Sequence, residues 1–201
     1  HFLWNAVVEE SDPRHDRALS YYAKVDDFIG KLWERFHQGR TGDNEGDGVA
    51  LLSDHGFCGQ KKDIRLNAWL ATEGYLKYAS EEPRNVSEIA AGTRAFALDP
   101  GRIYLNVKGR FGKGCVEPGE AEGLRGEIAG KLAALEYEGE KVIPHIFTRE
   151  QAFEGPLVDS APDLVLVSKS GFDLKGTTRG KEVFADTHFQ GMHTWGDAFV
   201  W

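Results

Sequence analysis

Apolar residues recur at helical spacing between residues 16 and 36: Leu19, Tyr22, Val25, Phe28 or Ile29, Leu32 and Phe36. That period predicts an amphipathic helix. Asp12-Pro-Arg-His is its entry, with Asp12 or Asp16 as N-cap. Residues 39–48 are rich in Gly and Asp and predict a loop. Gly48-Val-Ala-Leu-Leu-Ser53 follows, a short apolar run bounded by turn signals, as in strands buried on both faces. A second helix is predicted over 64–78, then a polar loop over 80–91. Residues 93–98 and 102–107 alternate as strands around a turn at Asp99-Pro-Gly101. A Gly-rich loop, 108–119, leads into a third helix, 119–135, with Leu124, Ile128, Leu132 and Leu135 on one stripe. A strand over 142–147 and a short helix over 148–153 come next, with Thr148 as cap and Gln151 three residues on. Residues 163–167 read as another buried strand, and 172–189 as polar and irregular before Gly191-Met-His193.

Strands alternating with helices predict an α/β fold. In such folds functional residues gather past the carboxyl ends of strands, and Asp54 and His55 follow the apolar run in that way. The chain has 201 residues, 41% hydrophobic, which is enough for one sizeable core. With 24 basic and 32 acidic residues its formal charge is -8, which disfavours non-specific nucleic-acid or anionic-membrane binding. An anionic substrate stays compatible, because bound cations reverse a local field. The two cysteines, Cys58 and Cys115, form no CxxC pair. There is no long apolar span and no secretory signal, so a cytoplasmic setting is expected. The start at His1 and the end at Ala198-Phe-Val-Trp201 both read as trimmed, so a missing true N-terminus is also expected.

Asp54-His55-Gly56 is the chemical candidate. A carboxylate and an imidazole side by side are typical ligands of zinc and related ions, and Gly56 allows a sharp backbone turn. Taken alone, the tripeptide reads rather as a turn in which Asp54 caps the next element and His55 lies on the surface. Its context is more specific. Leu51-Leu-Ser-Asp-His-Gly-Phe57, after the helix carrying Tyr22-Ala-Lys-Val-Asp-Asp-Phe-Ile-Gly30, resembles the alkaline phosphatase superfamily, in its type I phosphodiesterase/nucleotide pyrophosphatase branch. The resemblance continues in order through Leu66-Asn-Ala-Trp-Leu70, Gly101-Arg-Ile-Tyr-Leu-Asn106, Val116-Glu-Pro-Gly119, Ala161-Pro-Asp-Leu164 and Gly191-Met-His193.

The resemblance implies a three-layer α/β/α fold of alkaline phosphatase type, present in part. It implies a mostly parallel sheet with a smaller α+β, cap-like excursion over about 57–160, all within one α/β domain. Asp54 and His55 then match ligands of one metal. His193 matches a ligand of the other, and His1 resembles the histidine of an Asp-x-x-x-His element serving that same ion. Two divalent ions, zinc or manganese-like, would act on a phosphate-ester or nucleotide-like substrate. No segment matches the family's first metal-binding Asp or its Ser/Thr nucleophile, so the chain is expected to be the C-terminal part of a larger hydrolase. The competing reading is a non-catalytic α/β module. Among the remaining residues, His188 reads as a loop histidine, Asn67 as a helix cap, and Asp186 and Asp197 as acidic neighbours of His193 able to orient it.

Overall fold

A computed structural model describes residues 1–38 and 48–201, so the predicted loop at 39–48 lies almost wholly outside the described residues. In chain order the helices are α1 (Trp4–Val8), α2 (His15–Gln38), α3 (Leu66–Thr72), α4 (Ala121–Ala133) and α5 (Arg149–Ala152). The strands are β1 (Gly56–Gly59), β2 (Lys62–Arg65), β3 (Ala95–Asp99), β4 (Arg102–Leu105), β5 (Glu136–Tyr137) and β6 (Glu140–Lys141). They continue with β7 (His145–Thr148), β8 (Leu164–Val167), β9 (Phe172–Lys175), β10 (Phe184–Ala185) and β11 (Gly191–Thr194). The chain divides into a terminal unit, His1–Gln60 with His188–Trp201, and a central unit, Lys61–Thr187.

The central unit is a mixed α/β body. Its four-stranded sheet, in the order β3-β4-β8-β7, is antiparallel throughout. The predicted turn at Asp99-Pro-Gly101 closes the β3–β4 hairpin. Gly101 is needed there twice over: its φ is +71°, and a Cβ would come within 2.8 Å of the Leu166 carbonyl. A three-stranded sheet, β10-β2-β9, contains the one parallel strand pair among the described residues, β2 with β9. The mostly parallel sheet that the resemblance implies is not found among the described residues, whose sheets are mostly antiparallel. The physical reason is connectivity, since a tight turn such as 99–101 can join only antiparallel neighbours.

Helix α4 buries Leu124, Ile128 and Leu132, the stripe read from its spacing. A capping box between Thr148 and Gln151 starts α5, as the sequence indicated. The second predicted helix is shorter than its pattern. Ile64 lies in β2 between two neighbouring strands, and α3 runs only from Leu66 to Thr72. The stretch 172–189 is more ordered than its polarity suggests, because Phe172 and Leu174 point inward from β9.

The terminal unit has a different character. Helix α2 forms where predicted, with acidic Asp16 in its first turn and Arg35 and His37 in its last, which suits the helix dipole. None of its residues is buried. The run 48–53 is not a doubly buried strand. Leu51 exchanges backbone hydrogen bonds with Trp201 at 2.8 and 2.7 Å, Leu52 forms an isolated antiparallel bridge to Val200, and the Leu52 side chain is 65% exposed. Apolarity sufficed for extended backbone, but burial needs neighbours on both faces, and this segment pairs with a single chain-terminal stretch. The ordered pair in this unit is β1 with β11, antiparallel, with Phe57 opposite His193.

Candidate metal centre

The four residues singled out in the sequence, His1, Asp54, His55 and His193, all lie in the terminal unit. Asp54 and His55 precede β1 rather than following a strand, so the expected position past a carboxyl end is corrected. β1 and β11 pair with Gly56 opposite Thr194 and Phe57 opposite His193, which places the Asp54-His55 step beside the last strand. Gly56 adopts no left-handed conformation. A Cβ there would meet only the tip of the Asp197 side chain, so glycine here lets that carboxylate approach the backbone rather than forming a sharp turn. Asp197 in turn accepts a hydrogen bond from Thr194 Oγ1 at 2.5 Å.

Three imidazoles converge. The His55 and His193 rings stack at 3.8 Å between centroids with 23° between planes. The His1 ring lies 4.7 Å from that of His193 and edge-on to Phe57 and Phe189. The backbone carries His1 here, since its carbonyl accepts from the amides of Gln190 and Gly191. Trp4 packs against Phe57 behind the cluster.

The histidines are also oriented. His1 Nδ1 lies 2.8 Å from the Gly191 carbonyl, and His55 Nδ1 lies 2.9 Å from the Gly56 carbonyl. A carbonyl only accepts, so Nδ1 is the donor in both contacts and Nε2 is the nitrogen left for another partner. Metal-ligating histidines are commonly held in this way, with the other ring nitrogen bonded to the backbone. His55 Nε2 stands 3.6 Å from Asp54 Oδ1. Two ligands each about 2.1 Å from one ion at tetrahedral angles stand roughly 3.4 Å apart, so this pair fits one coordination edge. The near-parallel His55 and His193 rings do not aim their in-plane lone pairs at a common point. Among the described residues no group of three or more His, Cys, Asp or Glu side chains is placed to hold one ion. The Asp54 side chain is 87% exposed.

A model of the type I phosphodiesterase/nucleotide pyrophosphatase family matches residues 8–196. The chain belongs to that family. The match includes Asp54, His55 and His193 and leaves His1 outside it. Members of the family act on phosphate-ester and nucleotide substrates and are generally metal-dependent. No curated protein and no solved structure matches the chain.

Other expectations resolve differently. Asp186 does not serve His193; it pairs with Lys62, which lowers its carboxyl pKa. His188 is exposed and stacks on Phe2. Asn67 is no cap. Fully buried, its Nδ2 donates to the Ala97 and Gly176 carbonyls at 2.8 Å each, and its Oδ1 accepts from the Ala97 amide. Asn106 and Asp163, from two further family-like stretches, are similar anchors. Asn106 donates to the Thr93 and Lys113 carbonyls, and Asp163 pairs with Arg110 at 2.6 Å and with Arg149. What sequence reasoning missed at the centre itself is Phe57, which lies opposite His193 and against His1.

Proposed function

We propose that these 201 residues form the metal-binding portion of a two-metal phosphoesterase that cleaves phosphate-ester or nucleotide-like substrates. One observation carries the reading: His1, His55 and His193, far apart in sequence, converge beside Asp54 in a chain of the type I phosphodiesterase family. Asp54 and His55 would hold one divalent ion, and His193 with His1 the other. Zinc suits these oxygen and nitrogen donors, and manganese is the next candidate. When bound, such ions draw charge from a phosphoryl oxygen and lower the pKa of an attacking hydroxyl.

The chain's own residues hold the donors ready. The Gly191 and Gly56 carbonyls hold His1 and His55 through Nδ1, which leaves Nε2 for an ion, and the Asp54 carboxylate supplies negative charge at an exposed position. The attacking Ser or Thr is assigned to a segment of a larger protein with no counterpart in these residues. In that protein the three-layer α/β/α arrangement with a mostly parallel sheet would be completed, with residues 57–160 as a cap-like excursion from one domain, in a cytoplasmic setting. The independent core of the central unit supports the excursion.

Calorimetric titration of the metal-stripped chain with Zn²⁺ and Mn²⁺ tests the proposal. Weak binding is expected, because each ion finds only two donors, and it is lost in Asp54→Ala and in His193→Ala. In the larger protein, Asp54→Ala abolishes turnover of a chromogenic phosphodiester. Tight binding of two ions by the chain alone contradicts the division of ligands, and retained turnover contradicts the site. A second reading, a non-catalytic α/β module serving as a binding or structural domain, is favoured by the lack of any three-donor group among the described residues. Titration without any metal binding selects it.

A further inference from the structure

A cavity of about 690 Å³ opens within the central unit, between α3 and the segments 78–84 and 178–181. That volume lies within the roughly 300–1,000 Å³ typical of small-ligand sites. Its inner wall is apolar, made by Ala68, Ala71 and the Tyr78 ring. Arg84, Arg179 and Lys181 stand at the same cavity, and among the described residues none of these side chains is in an ion pair. Glu81 and Glu82 also line it, so cations outnumber carboxylates by three to two, on a protein whose formal charge is -8. The walls are tied together. Thr178, itself buried, donates from Oγ1 to the carbonyl of buried Pro83 at 3.0 Å, joining the two loops. The Tyr78 hydroxyl is buried with no hydrogen-bond partner, and burial pushes its pKa up to about 12.

We propose that this cavity binds a small organic anion, with a carboxylate or phosphate head among Arg84, Arg179 and Lys181 and an apolar body against Ala68, Ala71 and Tyr78. Guanidinium forks match the paired oxygens of such head groups, and the apolar wall favours an anion carrying a ring or short chain over a bare ion. The site shares no residue with the metal centre and does not depend on the reading of that centre.

The test is calorimetry of the full chain with phenylphosphonate, a probe that cannot be hydrolysed, in the presence of EDTA so that no metal contributes. Saturable one-site binding is expected. The double variant Arg84→Ala/Arg179→Ala, at two exposed positions, should weaken it by about tenfold or more, since charge-assisted hydrogen bonds are worth about 1.5–3 kcal/mol. Ala71→Leu, which narrows the cavity, should weaken it too, with circular dichroism confirming the fold; His55→Ala should leave it unchanged. Benzoate arriving at the same site marks a carboxylate source, and preference for phenylphosphonate marks a phosphate source. Absence of saturable binding, equal binding of inorganic phosphate, indifference to the double variant, or loss of binding in His55→Ala would each overturn the proposal.

Discussion

The two units treat apolar side chains in opposite ways. The central unit gathers one continuous buried cluster, from Ile64 and Leu66 through Phe96, Ile103 and Ile128 to Leu164 and Phe172. Among the described residues of the terminal unit only Ala6 and Met192 are buried hydrophobics, while Tyr21, Tyr22, Phe28, Leu32, Phe199 and Trp201 are among the large ones left exposed. Helix α2 is well patterned and yet none of its residues is buried. A helical period therefore states which face is able to pack, and not that it is packed. The candidate metal centre lies in the unit with little core, held by ring contacts and backbone hydrogen bonds, whereas the motif residues Asn67, Asn106 and Asp163 brace the unit with a full core.

This contrast can be broken most directly at Asp163. Its side chain is 7% exposed, it pairs with Arg110 and Arg149, and it accepts from the Leu105 amide at 2.7 Å. Asp163→Ala strands two partly buried guanidinium groups, so a loss of about 3–5 kcal/mol in urea unfolding is expected. A cost near zero would show that the central unit does not rest on this anchor. The next comparison sets two helices against each other. Ile128→Ala in α4 removes a fully buried side chain and should cost about 3 kcal/mol, while Phe28→Ala in α2, 60% exposed, should stay within about 0.5 kcal/mol. Similar costs for the two would mean that the apolar face of α2 is covered in solution.

The smallest effect is expected at Tyr78. Burial raises its pKa from 10.0 to about 12, so the folded state holds the phenol proton longer than the unfolded chain does. Its contribution is fully present below pH 10 and is lost as pH rises towards 12, an alkaline decline of about 2 kcal/mol. Tyr78→Phe should flatten that decline in pH-dependent unfolding. Because the hydroxyl has no partner, the variant should change neutral-pH stability by no more than about 1 kcal/mol. An unchanged alkaline decline in the variant would assign the titration to another group.

Much of this was legible in the chain. The α4 stripe, the hairpin at 99–101, the Thr148 capping box and strand β8 follow from local period and turn chemistry. At the candidate site, the identities of Asp54, His55, His193 and His1 came from residue order and family resemblance. Their local setting did not. Gly56 looked like a turn former and is instead a seat for the Asp197 carboxylate, and Asn67 looked like a cap and is a buried cross-link. Both roles depend on groups at least 30 positions away, which no window of sequence contains.

The sequence by itself determined where helices and strands are possible, which residues carry ligand chemistry, and the family to which they belong. Those properties are encoded in short periods and in ordered motifs. Tertiary structure alone decided that the central sheets are mostly antiparallel, that Leu52 in the run 48–53 stays exposed, and that three histidine rings lie side by side with two of them held by carbonyls. Pairing direction, burial and imidazole orientation are set by partners distant along the chain, and they exist only once those partners have been brought together.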